Sequence, residues 1–172
     1  LETKNYWLGP KKDEFNFGWK FALPRQVIVA KFKRKKDLKE FYFLSAHFDN
    51  RIENLKGAAL LVNKLVTDLK KPVIFAADTN ITTDMDSYKI LISKIFINSF
   101  KLKEKLSHSS SIPPKDLCYS RKGDHFPSCR VDHILLSHAH SWQVNDFIID
   151  TTKSYGGKYP SDHRPVIVEL TF

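Results

Sequence analysis

The sequence predicts an α/β layered domain with substantially antiparallel or mixed sheets. Three observations carry this. Two β-rich runs, RQVIVAKFKR and EFYFLSAHF, are joined by KKDLK, a polar link suited to a hairpin. A segment of helical spacing then leads into a continuous apolar run, PVIFAAD. Further strand candidates close the chain, so strands, helices and hairpins are mixed rather than segregated. The 172 residues contain no repeat or linker and read as one domain, 1–172, long enough to bury a core.

Each element has its own signal. In ENLKGAALLVNKLVTDLK, residues 53–70, apolar side chains fall at 55, 58, 59, 62, 65, 66 and 69, one face of a helix that Lys70, Lys71 and Pro72 end. PVIFAAD has the unbroken apolar character of a strand covered on both faces. Residues 84–97 return to helical spacing around Tyr88, Leu91 and Ile95. From about 101 to 129 the chain is polar, with SHSSSIPPK, and reads as a long loop of the kind that often carries function. VDHILLS, SWQVNDFIID and RPVIVEL are three more strands.

Hydrophobic residues at 42% and charged residues at 27% are globular rather than disordered proportions. No apolar run approaches the ~20 residues that cross a bilayer, so a soluble chain is expected, its compartment unassigned. The formal charge of +9 favours polyanionic partners, although the lysines of KKDLK and KLKEK suit a merely solubilising surface. Cys118 and Cys129 are too few to fix a redox compartment, and with His125 they leave a zinc site one ligand short. The first residue is Leu1 rather than Met, which reads as a cut end.

Polar residues gather at strand ends. His47 ends EFYFLSAHF and Asp78 ends PVIFAAD. Arg25 opens RQVIVAKF, Asp132 opens DHILLS, and Asp162 and His163 precede PVIVEL. In antiparallel pairs the start of one strand lies beside the end of the next, so all six can share one rim. Singly each has a plainer reading: Asp78 and Asn80 can simply turn the chain, Asp132 can cap an amide, and Arg25 can form a surface ion pair. Together they suit phosphoester cleavage. Carboxylates bind a hard cation such as Mg²⁺, cationic groups stabilise phosphoryl charge, and a histidine held by a carboxylate moves protons near neutral pH. A nucleophile elbow and a glycine-rich phosphate loop are both missing, and the chain has only six glycines.

SAHFDNR, PVIFAADTN, RVDHILLS and YPSDHRPVIVEL, in that order, resemble the endonuclease/exonuclease/phosphatase superfamily of DNase I-like metal-dependent phosphoesterases. NYWLGPKK and GWKFALPRQVIVAKFK add similarity to a bacterial-type branch, so the resemblance covers nearly the whole chain. It implies a sandwich of two mostly antiparallel or mixed sheets flanked by helices, and hydrolysis of a phosphoester with Mg²⁺ or Mn²⁺. By motif, Arg25, His47 and Asn80 would contact the phosphate. Asp78 would orient water or assist the leaving group, and His163 would be the base, its ring held by Asp132. Asp162, with Asp78, would bind the metal.

Departures temper this. The GDFN block is AADTN and the THLDH block is AHFDN. The family's early strands and its metal-binding glutamate have no counterpart here, and Glu2 sits in the wrong block to replace it. One sheet is therefore expected to lack its N-terminal strands, and the chain to associate with a missing N-terminal segment. A nuclease acting on nucleic acid is the leading expectation. A phosphatase or phosphodiesterase on a small or lipid phosphate is the alternative, and a catalytically impaired phosphate- or nucleic-acid-binding fragment is a third reading.

Overall fold

The hairpin expected from the two β-rich runs forms: β2 (Gln26–Lys33) and β3 (Glu40–His47) pair antiparallel, from Val27 opposite Ala46 to Lys33 opposite Glu40. This computed structural model describes residues 2–106, 130–150, 152, 156–157, 161 and 163–172. Cys118, His125, Cys129, Asp162 and residues 107–129 of the expected loop lie outside them.

From β3 the chain crosses over through α1 (Ile52–Asp68) to β4 (Val73–Asp78), which must then lie parallel to β3, and does. Leu55, Ala58, Ala59, Val62, Leu65 and Val66 of α1 are buried, the row its spacing predicts. The helix stops at Asp68, where Leu69 donates its N–H to Val66 O at 3.0 Å, and Pro72 then forbids continuation. Val73 and Phe75 of β4 are wholly buried while Ile74 and Ala76 are half-buried, so one face is covered fully and the other in part. β6 (Asp132–Ser137) joins β4 antiparallel.

Three elements differ from expectation. β1 (Glu2–Trp7) pairs antiparallel with β2, yet its first four residues are exposed and give no apolar alternation to read. The helix expected over 84–97 is shorter, α2 (Asp86–Ile92). Ser93 leaves helical geometry and donates its hydroxyl to Ile90 O at 2.9 Å, and β5 (Phe96–Asn98) then pairs with β6. The expected loop begins instead as α3 (Ser99–Leu106), because Asn98 Oδ1 accepts the Phe100 N–H at 3.0 Å as an N-cap and the Phe100 ring meets Phe147 edge-on at 5.2 Å.

The result is a six-stranded mixed sheet in the order β1-β2-β3-β4-β6-β5 and a second, two-stranded antiparallel sheet of β7 (Gln143–Ile149) and β8 (Val166–Thr171). The layered α/β expectation with mixed sheets is met. Among the described residues no helix is long and apolar enough to cross a membrane.

Alternation along β6 sends Asp132 toward the rim and His133 into the core, where it is 4% exposed. His133 Nε2–H donates to Ile81 O at 2.8 Å. Its Nδ1 faces the Asn98 amide at 3.5 Å, and that amide also donates to Tyr88 Oη at 2.7 Å. Burial pulls the His133 pKa down to about 4, against the smaller opposing effect of the Ile81 carbonyl. The unfolded chain titrates this histidine near its ordinary 6.5, so from pH 6.5 down to about 4 the unfolded state binds more protons than the native one. Stability is expected to fall over that window by up to about 3 kcal/mol. Urea midpoints at neutral and acid pH check this against His133→Phe, which should fall less steeply; equal slopes exclude His133 as the source.

Candidate active site

Strand register places the first three rim residues. His47, Asp78 and Asp132 are Cα partners across β3, β4 and β6, at the same level of three adjacent strands. Asp78 is held rigidly. Its Oδ1 accepts the Asn80 N–H at 3.0 Å in an Asx turn, while Phe48 N–H donates to Asp78 O at 2.9 Å. Asn80 sits at φ +50, a left-handed position that asparagine tolerates, and donates one amide hydrogen to Phe48 O at 3.0 Å. Thr79, wholly buried, ties the same turn to β6 through its N–H and hydroxyl, both donating to Val131 O. The threonine that replaces phenylalanine in AADTN therefore fastens β4 to β6.

His163 approaches from the segment before β8. Its Nδ1–H donates to Asp132 Oδ2 at 2.7 Å, which turns Nε2 toward Asp78, 4.0 Å from Oδ2. His47 Nε2 lies 3.2 Å from the same Asp78 oxygen. Burial pushes the Asp132 carboxyl above the usual carboxylate range, and the His163 hydrogen bond pulls it back. Arg25 lines the same cleft, about 690 Å³ in volume, with His47, Asp78, Asn80 and His163. Its Nε is buried with no hydrogen-bond partner, a donor left for an anion. The structure thus brings Arg25, His47, Asp78, Asn80, Asp132 and His163 to one rim.

Among the described residues, Asp78, Asp132 and His163 each offer a ligand atom within 4.8 Å of the others. Two carboxylates suit Mg²⁺, which keeps several waters and takes only one or two protein carboxylates, so the donor set fits a hard divalent cation.

No family model matches the chain. It is 25% identical to an uncharacterized protein of Acanthamoeba polyphaga mimivirus over 94% of this chain and 62% of that one. Among solved structures, an endonuclease/exonuclease/phosphatase family protein from Bacteroides thetaiotaomicron is 27% identical with a TM-score of 0.78, over 99% of this chain and 64% of that one. A mannosyl-6-phosphatase from the same bacterium is also 27% identical, with a TM-score of 0.73, over 100% of this chain and 66% of that one. In sequence and fold the chain is similar to proteins of the endonuclease/exonuclease/phosphatase superfamily. It spans less than two thirds of the length of each of these three relatives.

Reading the superfamily blocks in the sequence passes over part of this cleft. Asp49, Asn50 and Arg51 also line it. The SAHFDNR block contains all three, but only its histidine carries a signal strong enough to single out. Asn54 is missed altogether. It is buried in the first turn of α1 and donates to Asp49 Oδ2, anchoring the stretch after β3.

Proposed function

We propose that the chain hydrolyses phosphoester bonds with the help of a divalent cation at this cleft. The observation that carries the reading is the His163–Asp132 pair set beside Asp78. With Nδ1–H donated to Asp132, the His163 Nε2 lone pair faces the cleft, where it can take a proton from an attacking water. Asp78, fixed by the Asn80 turn, orients that water or assists the departing oxygen. Arg25, His47 and the second amide hydrogen of Asn80 offer positive or donor groups to the phosphate. Asp78 would hold the cation, with Asp162 assigned to the same task by its sequence block. Lewis-acid stabilisation of phosphoryl charge is what the metal would supply there.

A nuclease-type phosphodiesterase is the leading substrate reading. A formal charge of +9 attracts phosphodiester polymers. A phosphatase on a small phosphate is the second reading, favoured by the 27% identity to a mannosyl-6-phosphatase. Plasmid nicking and release of inorganic phosphate from monoesters, each with Mg²⁺ or Mn²⁺ and with chelator, separate the two. Turnover is expected with metal and none with chelator. Undiminished hydrolysis in chelator overturns the metal-dependent reading, and nicking without phosphate release selects the nuclease.

A further inference from the structure

Phe15, Phe17, Trp19, Phe21 and Leu23 alternate with Asn16, Gly18, Lys20 and Ala22, a strand-like pattern in a segment that forms no strand. The rings instead touch in series. Centroids lie 4.9 Å apart for Trp7 and Phe15, 5.0 Å for Phe15 and Phe17, and 4.8 Å for Phe17 and Phe21. Folding leaves much of this row in water: Phe21 is 73% exposed, Leu23 69% and Phe15 58%. Isolated apolar residues are ordinary on a surface, whereas a contiguous aromatic row marks a contact.

The row leads into the cleft. Its last member, Leu23, lines the cleft together with Ala22, Arg25 and His47, and Ala22 N–H donates to Phe17 O at 3.0 Å, which ties the Phe17–Phe21 turn to that lining. The segment is also fixed in place. Asn54 Oδ1 accepts the Lys20 N–H at 2.8 Å and its Nδ2–H donates to Lys20 O at 2.9 Å. The Trp19 ring lies so close over Gly57 that a Cβ there would come within 2.3 Å of it. A surface organised in this way presents its rings at little further ordering cost.

Charge narrows the occupant. Lys11, Lys12 and Lys20 are each paired with a carboxylate, Glu14, Asp13 and Glu53 respectively. An anionic lipid surface is held by uncompensated lysines around apolar side chains, which this patch does not offer. What it offers is ring area of low net charge next to a cleft that contains Arg25, Arg51 and Asn80 as donors for a phosphate. We propose that Phe17 and Phe21, with Leu23, form a stacking platform for the nucleobase of a substrate whose phosphate occupies the cleft, so that this row selects base-bearing phosphoesters. The inference rests on the hydrolase reading for the phosphate and deepens it by naming the group attached.

The test measures binding apart from turnover. Fluorescence anisotropy compares a labelled oligodeoxythymidylate with an abasic oligonucleotide of the same length, in chelator, for the full chain and for Phe17→Ala and Phe21→Ala. The base-bearing strand is expected to bind tighter than the abasic one by roughly 5- to 150-fold per stacked base, and each substitution should shrink that gap while leaving abasic affinity in place. Phe21→Leu, which keeps apolar volume without a ring face, should behave like Phe21→Ala and serves if the alanine variant folds poorly. Equal affinity for the two strands, or a gap that survives both alanine substitutions, overturns the platform. So does binding to phosphatidylcholine–phosphatidylserine vesicles that Phe21→Ala abolishes while strand binding is unchanged. With Mg²⁺ restored, hydrolysis of the abasic strand with no base preference sinks the platform alone. Base preference with no hydrolysis of any phosphoester upholds it and sinks the hydrolase reading.

Discussion

Replacing His163 with alanine is expected to lower turnover by about 10²- to 10⁴-fold, the usual contribution of a positioned acid–base group. His163 lines the cleft with its Nε2 4.0 Å from Asp78 Oδ2, while its Nδ1–H donates to Asp132 Oδ2 at 2.7 Å. The fold should survive, because His163 is exposed and lies outside the strands. The loss of one hydrogen bond to a carboxylate costs about 1–3 kcal/mol, short of the total that holds a domain of this size together. Asp132→Asn should be nearly as damaging to turnover, since an amide no longer selects the tautomer that presents an unprotonated Nε2 to the cleft. Because the two residues act as a unit, the double variant should be scarcely slower than His163→Ala alone. Rates that multiply, or a His163→Ala chain that turns over normally, remove the pair from the chemistry. Circular dichroism and thermal unfolding of each variant separate lost chemistry from lost structure.

Phe75→Ala is expected to cost about 3–5 kcal/mol of stability, the range for truncating a buried aromatic. Phe75 occupies the middle of β4, a central strand, and is fully buried. Its ring lies 6.0 Å from that of Phe48 and 5.8 Å from that of Phe96, so it bridges the stretch after β3 to the edge strand β5. Neither neighbour can close the gap without leaving its own contacts, and the cavity term adds to the lost transfer energy. Phe75→Leu fills most of the space and should cost clearly less. Urea unfolding monitors both; a Phe75→Ala midpoint close to that of the parent chain would place the core elsewhere. Since Asp78 ends the same strand, the alanine variant should also lose turnover, through β4 rather than through chemistry.

What local pattern can encode was legible. The β2–β3 hairpin follows from two β-rich runs and a polar link. The buried face of α1 follows from apolar spacing, and β4 from an apolar run after Pro72. The same pattern fails where an element owes its existence to a partner. β1 is polar and mostly exposed and becomes a strand only because β2 pairs with it, and the three residues of β5 are a strand only beside β6. KLKEK looks like a solvated lysine run until the Asn98 cap and the Phe100–Phe147 contact make it α3.

The candidate site divides in the same way. The sequence determined which residue types stand at the ends of β3, β4 and β6, because strand limits and side-chain chemistry are both local properties. That His47, Asp78 and Asp132 come level, that His163 swings its Nδ1 onto Asp132, and that an aromatic row stays in water beside them were decided by the tertiary structure. Register between strands and the exposure of a ring depend on groups tens of residues away, and periodicity along one segment contains no information about what will lie opposite it.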